Sequence, residues 1–192
     1  MNLAKKPPKT KKRLPSELAY RLMSPRNVVL VTCIHPKTRK PNIITLAWSL
    51  PVSINPPMVG ISIAPKRYSH DIIAKSREYV INIPSKALAK QALLCGRTSG
   101  SNTDKFRTSE LTPKPSKKVK PPIIEECIAH LECNVVNQVT TGDHTLFVGE
   151  VLEAYVNKSA FGRGFVKANK IKTLLHLGAN YFLTTSDEVF IP

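Results

Sequence analysis

Two cations, two hydroxyls and an imidazole stand together in Lys66, Arg67, Tyr68, Ser69 and His70, where the residues that follow predict the start of a helix. Free main-chain N–H groups and the positive end of a helix dipole make such a place favourable for phosphate. The residues just before, NIITLAWSLPVSINPPMVGISIAP, read as two short strands around a Pro-Pro turn. Strand side chains alternate with a period of two. On the first strand Ile44, Leu46, Trp48 and Leu50 share one face and Thr45, Ala47 and Ser49 the other; on the second, Val59, Ile61 and Ile63 alternate with Gly60, Ser62 and Ala64. Two nearly bare faces side by side leave room for a flat group to lie against backbone. A flat group beside a phosphate pocket points to a nucleotide-like cofactor. Each element alone has an ordinary explanation: small residues where strands pack closely, Ser69 as an N-cap, Lys66 and Arg67 as a solvated loop. Their order along the chain is what favours the cofactor.

The elements that must position these residues are mostly strands. Leu14 to Met23 forms a short segment ending at Ser24-Pro25, and strand patterns follow at Val28–Ile34, Ile43–Leu50 and Met58–Ala64. The polar run HPKTRKPN between the first two has hairpin length. A short helix is predicted over Ser69 to Arg77, then a strand at EYVINI. Ser85 to Cys95 has helical spacing, with Ser85 as cap and Gly96 as stop. A Gly/Ser loop, Gly96 to Thr103, leads to Asp104, Lys105 and Phe106. Long strands at Cys127–Val139 and Thr145–Val156 flank a turn at Thr141-Gly142-Asp143, and KIKTLLHLGANYF reads as a short helix and a tight turn at Gly178. The sequence has no internal repeat and no glycine fingerprint for dinucleotides. Directly connected strands with helices inserted between some of them predict a mainly β fold closed as an antiparallel barrel.

Four segments carry a family likeness: NIITLAWSLPVSINPPMVGISIAPKRYSHDII, EYVINIPS, CGRTSGSNTDKF and GDHTLFVGEV. With them the chain resembles the flavin reductase-like, FMN-binding split-barrel family, most of all its flavoredoxin branch, over residues 27 to 156. The resemblance implies a Greek-key split β-barrel holding non-covalent FMN, often at a homodimer interface. It implies that the strand matching Asn42, Thr45, Leu46, Ala47, Trp48 and Ser49 lies along the isoalloxazine, largely through main-chain groups. The segment matching Ser62, Ile63, Ala64, Arg67, Tyr68, Ser69 and His70 then holds the ribityl chain and phosphate, with Arg67 and Ser69 as the phosphate ligands. The loop matching Gly100 to Lys105 lies near the flavin. Lys105 is either a positive charge near the ring or a helix-surface lysine, and His144 either stands on the nicotinamide side of the flavin or is a strand-end histidine with no role. His35 reads as loop surface, and His176, Gly178 and Tyr181 fold over the site or a dimer partner.

Such a chain would be a reductase passing electrons from NADH or NADPH through FMN to free flavin or a redox protein. Alternatively it is a flavoredoxin-type electron carrier that never meets NAD(P)H, or, less in keeping with the sequence, a basic nucleic-acid-binding protein. FAD is expected to bind less well than FMN, since a terminal phosphate pocket at a helix start shows no obvious space for AMP.

Composition bounds these readings. A chain of 192 residues suits one domain with a sizeable core, here 16–192 after a basic tail at 1–15. No apolar run reaches the ~20 residues of a membrane span, and MNLAKKPPKTKKRLP lacks the apolar core of a secretory signal, so the cytoplasm is the default location. The net charge is +16, but residues 1–13 carry six Lys/Arg and TPKPSKKVKPP, from Thr112 to Pro122, four more lysines. Removing those ten charges leaves about +6, modest for a globular domain. Both segments read as exposed and flexible, able to touch nucleic acid weakly and in a salt-dependent way. Cys127-x-x-His130-x-x-Cys133 has metal-site spacing, but in a strand the cysteines face one way and the histidine the other, so no metal is expected. Cys33 is predicted to be core, and Cys95 to be partly exposed.

Overall fold

A computed structural model describes residues 10–167 and 170–188; most of the expected basic tail therefore lies outside the described residues. Seven strands make the main sheet: β1 Val29–Ile34, β2 Pro41–Leu46, β3 Ser49–Ser53, β4 Met58–Ile63, β5 Glu78–Ile83, β6 Ala129–Thr141 and β7 His144–Val156. They run in the order β2-β1-β5-β6-β7-β4-β3, antiparallel throughout. Three helices interrupt them: α1 Tyr68–Ser76, α2 Ala89–Arg97 and α3 Lys105–Ser109. A smaller sheet joins Arg26–Asn27 to a terminal hairpin, β8 Leu174–Gly178 and β9 Tyr181–Thr184.

The barrel is required by a single connection. β2 and β3 are at opposite ends of the strand order, yet only Ala47 and Trp48 separate them in the chain. Strands spaced about 4.8 Å apart would hold the two ends roughly 29 Å apart in a flat sheet, whereas that link spans about 10 Å at most. The sheet must curl until its ends come together at the crossover, whose Trp48 O accepts Ser62 N–H of β4 at 2.9 Å, continuing the β3–β4 ladder.

Alternation then sorts the core. Val29, Val31, Cys33, Ile44, Ile61, Ile63, Tyr79, Ile81 and Phe147 fill the barrel, with Ile72 and Ile73 of α1 packed among them. Val28, Leu30 and Ile43 belong to a second cluster outside the barrel, under Leu88, Ala92 and Cys95 of the α2 region and Phe106 of α3. β1 is thus buried on both faces, which explains its unbroken apolar sequence.

Several expectations need correction. The strand expected over Ile43–Leu50 is two strands on different edges, so Ile44 and Leu46 face the barrel interior while Leu50 is exposed on β3. The face around Gly60 is not bare: Leu50, Val52 and Leu146 cover it. Gly96 lies inside α2 rather than ending it, with Thr45 packed against it, and α2 begins at Ala89 after a 3-10 turn. The C-terminal segment read as helix is the β8–β9 hairpin. The lysine-rich loop is not loose. The buried Glu132 carboxylate accepts the Lys117, Lys118 and Val119 N–H groups and the Tyr155 hydroxyl, while Glu78 accepts Lys120 N–H. Cys127 sits in the outer cluster and Cys133 inside the barrel, so they do not share a face, and His130 binds Asn82 instead. Cys95 is buried. Among the described residues, no helix is long and apolar enough to cross a membrane.

Candidate functional site

Where β2 leaves the barrel edge for β3, the crossover, the end of β4, the start of α1 and the loop before α3 enclose a cavity of about 710 Å³. Thr45, Leu46, Ala47 and Trp48 form one wall, Ser62, Ile63 and Ala64 a second, and Arg67, Tyr68 and Ser69 one end; Gly100, Lys105 and His144 complete the set expected from sequence. Asn42, Ser49 and His70 do not line it. Asn42 stands behind the wall, donating through Nδ2 to the Ser69 hydroxyl at 2.7 Å. Ser49 belongs to β3. His70 turns to the Thr145 hydroxyl at 2.9 Å and lies edge-on to Phe147.

One end of the cavity is built for an anion. Arg67 is the N-cap of α1 in extended conformation, so the first N–H groups of the helix have no partner within it. Ser69 is therefore not the cap; it is buried, its oxygen accepts from Asn42, and its hydroxyl is hydrogen-bonded with Cys33. Asn42 Oδ1 is buried without a hydrogen-bond partner among the described residues, and Gly100 packs so closely on it that a Cβ there would lie 1.9 Å away.

Lys105 is the residue whose sequence alternatives the structure separates. It is not a surface lysine: it is 6% exposed, and Nζ donates to Ile43 O at 2.8 Å and Cys95 O at 2.7 Å. The second acceptor belongs to the last turn of α2, the negative end of that helix. Burial, and more weakly the Arg67 cation, pulls its pKa below the usual lysine value. Burial also pushes the Cys33 thiol up to about 12 and raises Cys95, so neither neighbouring thiol supplies a counter-charge. A buried ammonium held only by carbonyls is costly. A phosphate in the adjoining cavity would offset that cost, so the residues present fit a phosphorylated ligand.

The other end is aromatic. Trp48 stacks on His144, ring centroids 4.6 Å apart and planes 30° apart, and Tyr20 lies edge-on to Trp48 at 5.8 Å. The Arg26 guanidinium lies 6.0 Å from the Trp48 ring centre and 5.9 Å from that of Tyr20. His144 Nδ1 is 2.7 Å from Asp143 Oδ1, and this hydrogen bond with the imidazole holds the Asp143 carboxyl below its ordinary value.

Sequence reasoning missed Tyr20, Arg26, Cys95, Thr98 and Ser99, all of which line the cavity. The Gly/Ser loop was the available signal for the last two. Tyr20 and Arg26 arrive from the segment before β1 and carry no local signal. His176 does reach the cavity, while Gly178 and Tyr181 do not line it. Beyond Arg67 a second groove of about 290 Å³ opens between α1 and the β1–β2 loop.

A sequence profile of the flavin reductase like domain matches residues 20–182. An uncharacterized protein of Archaeoglobus fulgidus is 43% identical over 80% of this chain and 86% of its own length. The reductase component of the 4-nitrophenol 4-monooxygenase/4-nitrocatechol 2-monooxygenase of Rhodococcus opacus is 32% identical over 66% of this chain and 64% of its own. Among solved structures, the flavoredoxin of Desulfovibrio vulgaris superimposes with a TM-score of 0.83 at 28% identity, covering 95% of this chain and 97% of that one.

Proposed function

The chain belongs to the flavin reductase-like domain family, and from that premise we propose that its cavity holds FMN and that the protein carries electrons from NADH or NADPH through that flavin to free flavin or a redox protein. The observation that carries this is the lining of one cavity: the buried Lys105, the exposed Arg67 and the start of α1, together with the stacked Trp48–His144 pair. Arg67, Ser69 and Lys105 hold the phosphate, the cations by charge-assisted hydrogen bonds. The walls from Thr45 to Trp48 and from Ser62 to Ala64 flank the ring system, with main-chain groups available between short side chains. FMN, once bound, supplies the hydride and single-electron chemistry, and the protein supplies position, potential and access. His144, oriented by Asp143, stands where a nicotinamide would approach. A second copy is proposed to pack on the β3–β4 hairpin, where Leu50 and Val52 are exposed and Ile54 is 95% exposed.

Anaerobic mixing of the FMN-loaded protein with NADH, then NADPH, tests the donor. Bleaching of the flavin absorbance supports the reductase. Reduction by dithionite alone supports the second reading, an electron carrier, which the likeness to flavoredoxin and the stack of Trp48 on His144 over the ring end favour.

A further inference from the structure

Two residues that line the main cavity each carry a buried polar atom with no hydrogen-bond partner among the described residues: Arg26 at Nε and His176 at Nδ1. They are direct partners across the small sheet, Arg26 opposite His176 of β8, so their side chains leave one face of it side by side. The chemical role of each free atom is fixed. Arg26 Nη1 donates to Tyr20 O at 2.7 Å and the guanidinium lies against the Tyr20 and Trp48 rings. A guanidinium only donates, so Nε offers an N–H. His176 Nε2 is 3.3 Å from Ala179 O, which can only accept, so Nε2 carries the proton and Nδ1 of the neutral ring is an acceptor. A donor beside an acceptor complements a planar ring edge in which a carbonyl adjoins an N–H. A carboxylate would satisfy the arginine but meet the lone pair of the histidine. Arg26 has no ion-pair partner among the described residues, so its charge reaches the cavity without a protein counter-charge.

We infer that Arg26 and His176 clamp the pyrimidine edge of the flavin, Arg26 Nε donating to a ring carbonyl and His176 Nδ1 accepting the ring N3–H. The inference rests on the flavin-binding function proposed above, and it adds a side-chain pair, drawn from the two ends of the domain, to the main-chain groups of the cavity walls. The clamp also has a redox consequence. Two electrons and one proton convert the oxidised flavin to a reduced form whose negative charge spreads over the pyrimidine ring. A fixed cation at that edge holds the reduced form more tightly than the oxidised one and so raises the flavin potential. Arg26 and His176 are thus positioning residues that tune the cofactor. A nicotinamide carboxamide presents a carbonyl and an N–H of the same kind, so the test separates the two.

FMN and 3-methyl-FMN, whose N3 has no proton, are titrated by fluorescence into wild type, Arg26→Gln, Arg26→Lys and His176→Phe. The midpoint potential of each FMN complex is then read by anaerobic dithionite titration beside a reference dye. Thermal melts near wild type confirm that the variants remain folded. The inference expects the N3-methyl group to weaken binding to wild type about tenfold, and to leave binding to His176→Phe nearly unchanged. Arg26→Gln should lose about tenfold more affinity for reduced than for oxidised FMN, which lowers the potential by about 30 mV for a two-electron couple. Arg26→Lys, which keeps the charge, should restore most of that loss. Equal binding of FMN and 3-methyl-FMN by wild type, with a potential that no substitution moves, would overturn the inference. Variants that keep FMN affinity and potential, but no longer bind nicotinamide added to the FMN-loaded protein, would assign the pair to the nicotinamide and also overturn it. Failure of wild type to bind FMN would refute the proposed function, and this inference with it.

Discussion

Mild acid should destabilise this protein before its carboxylates titrate, and the group responsible is His130. The ring is buried on β6, and its Nδ1 lies 2.8 Å from Asn82 Oδ1. Asn82 Nδ2 donates to Leu30 O, which fixes Oδ1 as the acceptor, so His130 Nδ1 must carry the proton. The same oxygen accepts Ile124 N–H at 2.9 Å, tying the outer cluster to the sheet. Burial lowers the His130 pKa from 6.5 to about 4, against the pull of Glu132. A group whose folded pKa is depressed binds more protons unfolded, so stability rises with pH across the interval. The contribution is fully present above about 6.5 and is lost as pH falls toward 4, a loss of about 3 kcal/mol at about 1.4 kcal/mol per pH unit. Urea unfolding at a series of pH values from 7.5 to 4.5 should show that slope, and His130→Gln, which does not titrate, should flatten it. A wild-type stability unchanged over this range, or an equal slope in the variant, would refute the assignment.

Further outcomes follow from the same contacts. Arg67→Ala should weaken FMN by about 1.5–3 kcal/mol and leave riboflavin, which lacks the phosphate, unchanged; fluorescence titration of both separates a ligand role from a structural one. Lys105→Met should likewise reduce FMN affinity more than riboflavin affinity, and equal losses would place the lysine at the ring end instead. Gly149→Ala should lower stability by about 1–3 kcal/mol through overpacking, because the added Cβ would lie 2.3 Å from the Tyr79 hydroxyl and 3.0 Å from the Cys133 Cβ; a thermal melt within a degree of wild type would contradict that packing. Glu132→Gln should speed amide exchange at Lys117, Lys118 and Val119, whose N–H groups its carboxylate holds.

What could be read from the sequence was local. EYVINI is β5 residue for residue, α1 begins one residue before its expected start, and the β6–β7 pair turns at Thr141 to His144 as its Gly-Asp turn predicts. Of the faces expected to be bare, Thr45, Ala47, Ser62 and Ala64 do line the cavity, together with Lys66 to Ser69 of the expected helix start. What escaped is set by distant parts of the chain. Alternation runs unbroken through Ala47 and Trp48, so nothing local marks the point where the barrel closes. Lys105 resembles any lysine in a helix's first turn until α2 and β2 bury it. The lysine-rich loop has a disordered composition, and the carboxylate that orders it lies on a strand beyond the loop. The leucines of β8 fit helical spacing as well as strand spacing, and only pairing with β9 decides between them.

We propose that the cavity between the β2–β3 crossover and α1 is a flavin site whose anion-binding end is made by Arg67 and Lys105. The most direct measurement is equilibrium titration of flavin-free protein with FMN, followed by flavin fluorescence, beside a parallel titration with riboflavin. One FMN should bind per chain, more tightly than riboflavin by at least about tenfold, the share of a charge-assisted phosphate contact. Protein that takes up neither flavin, or binds both equally, would contradict the claim.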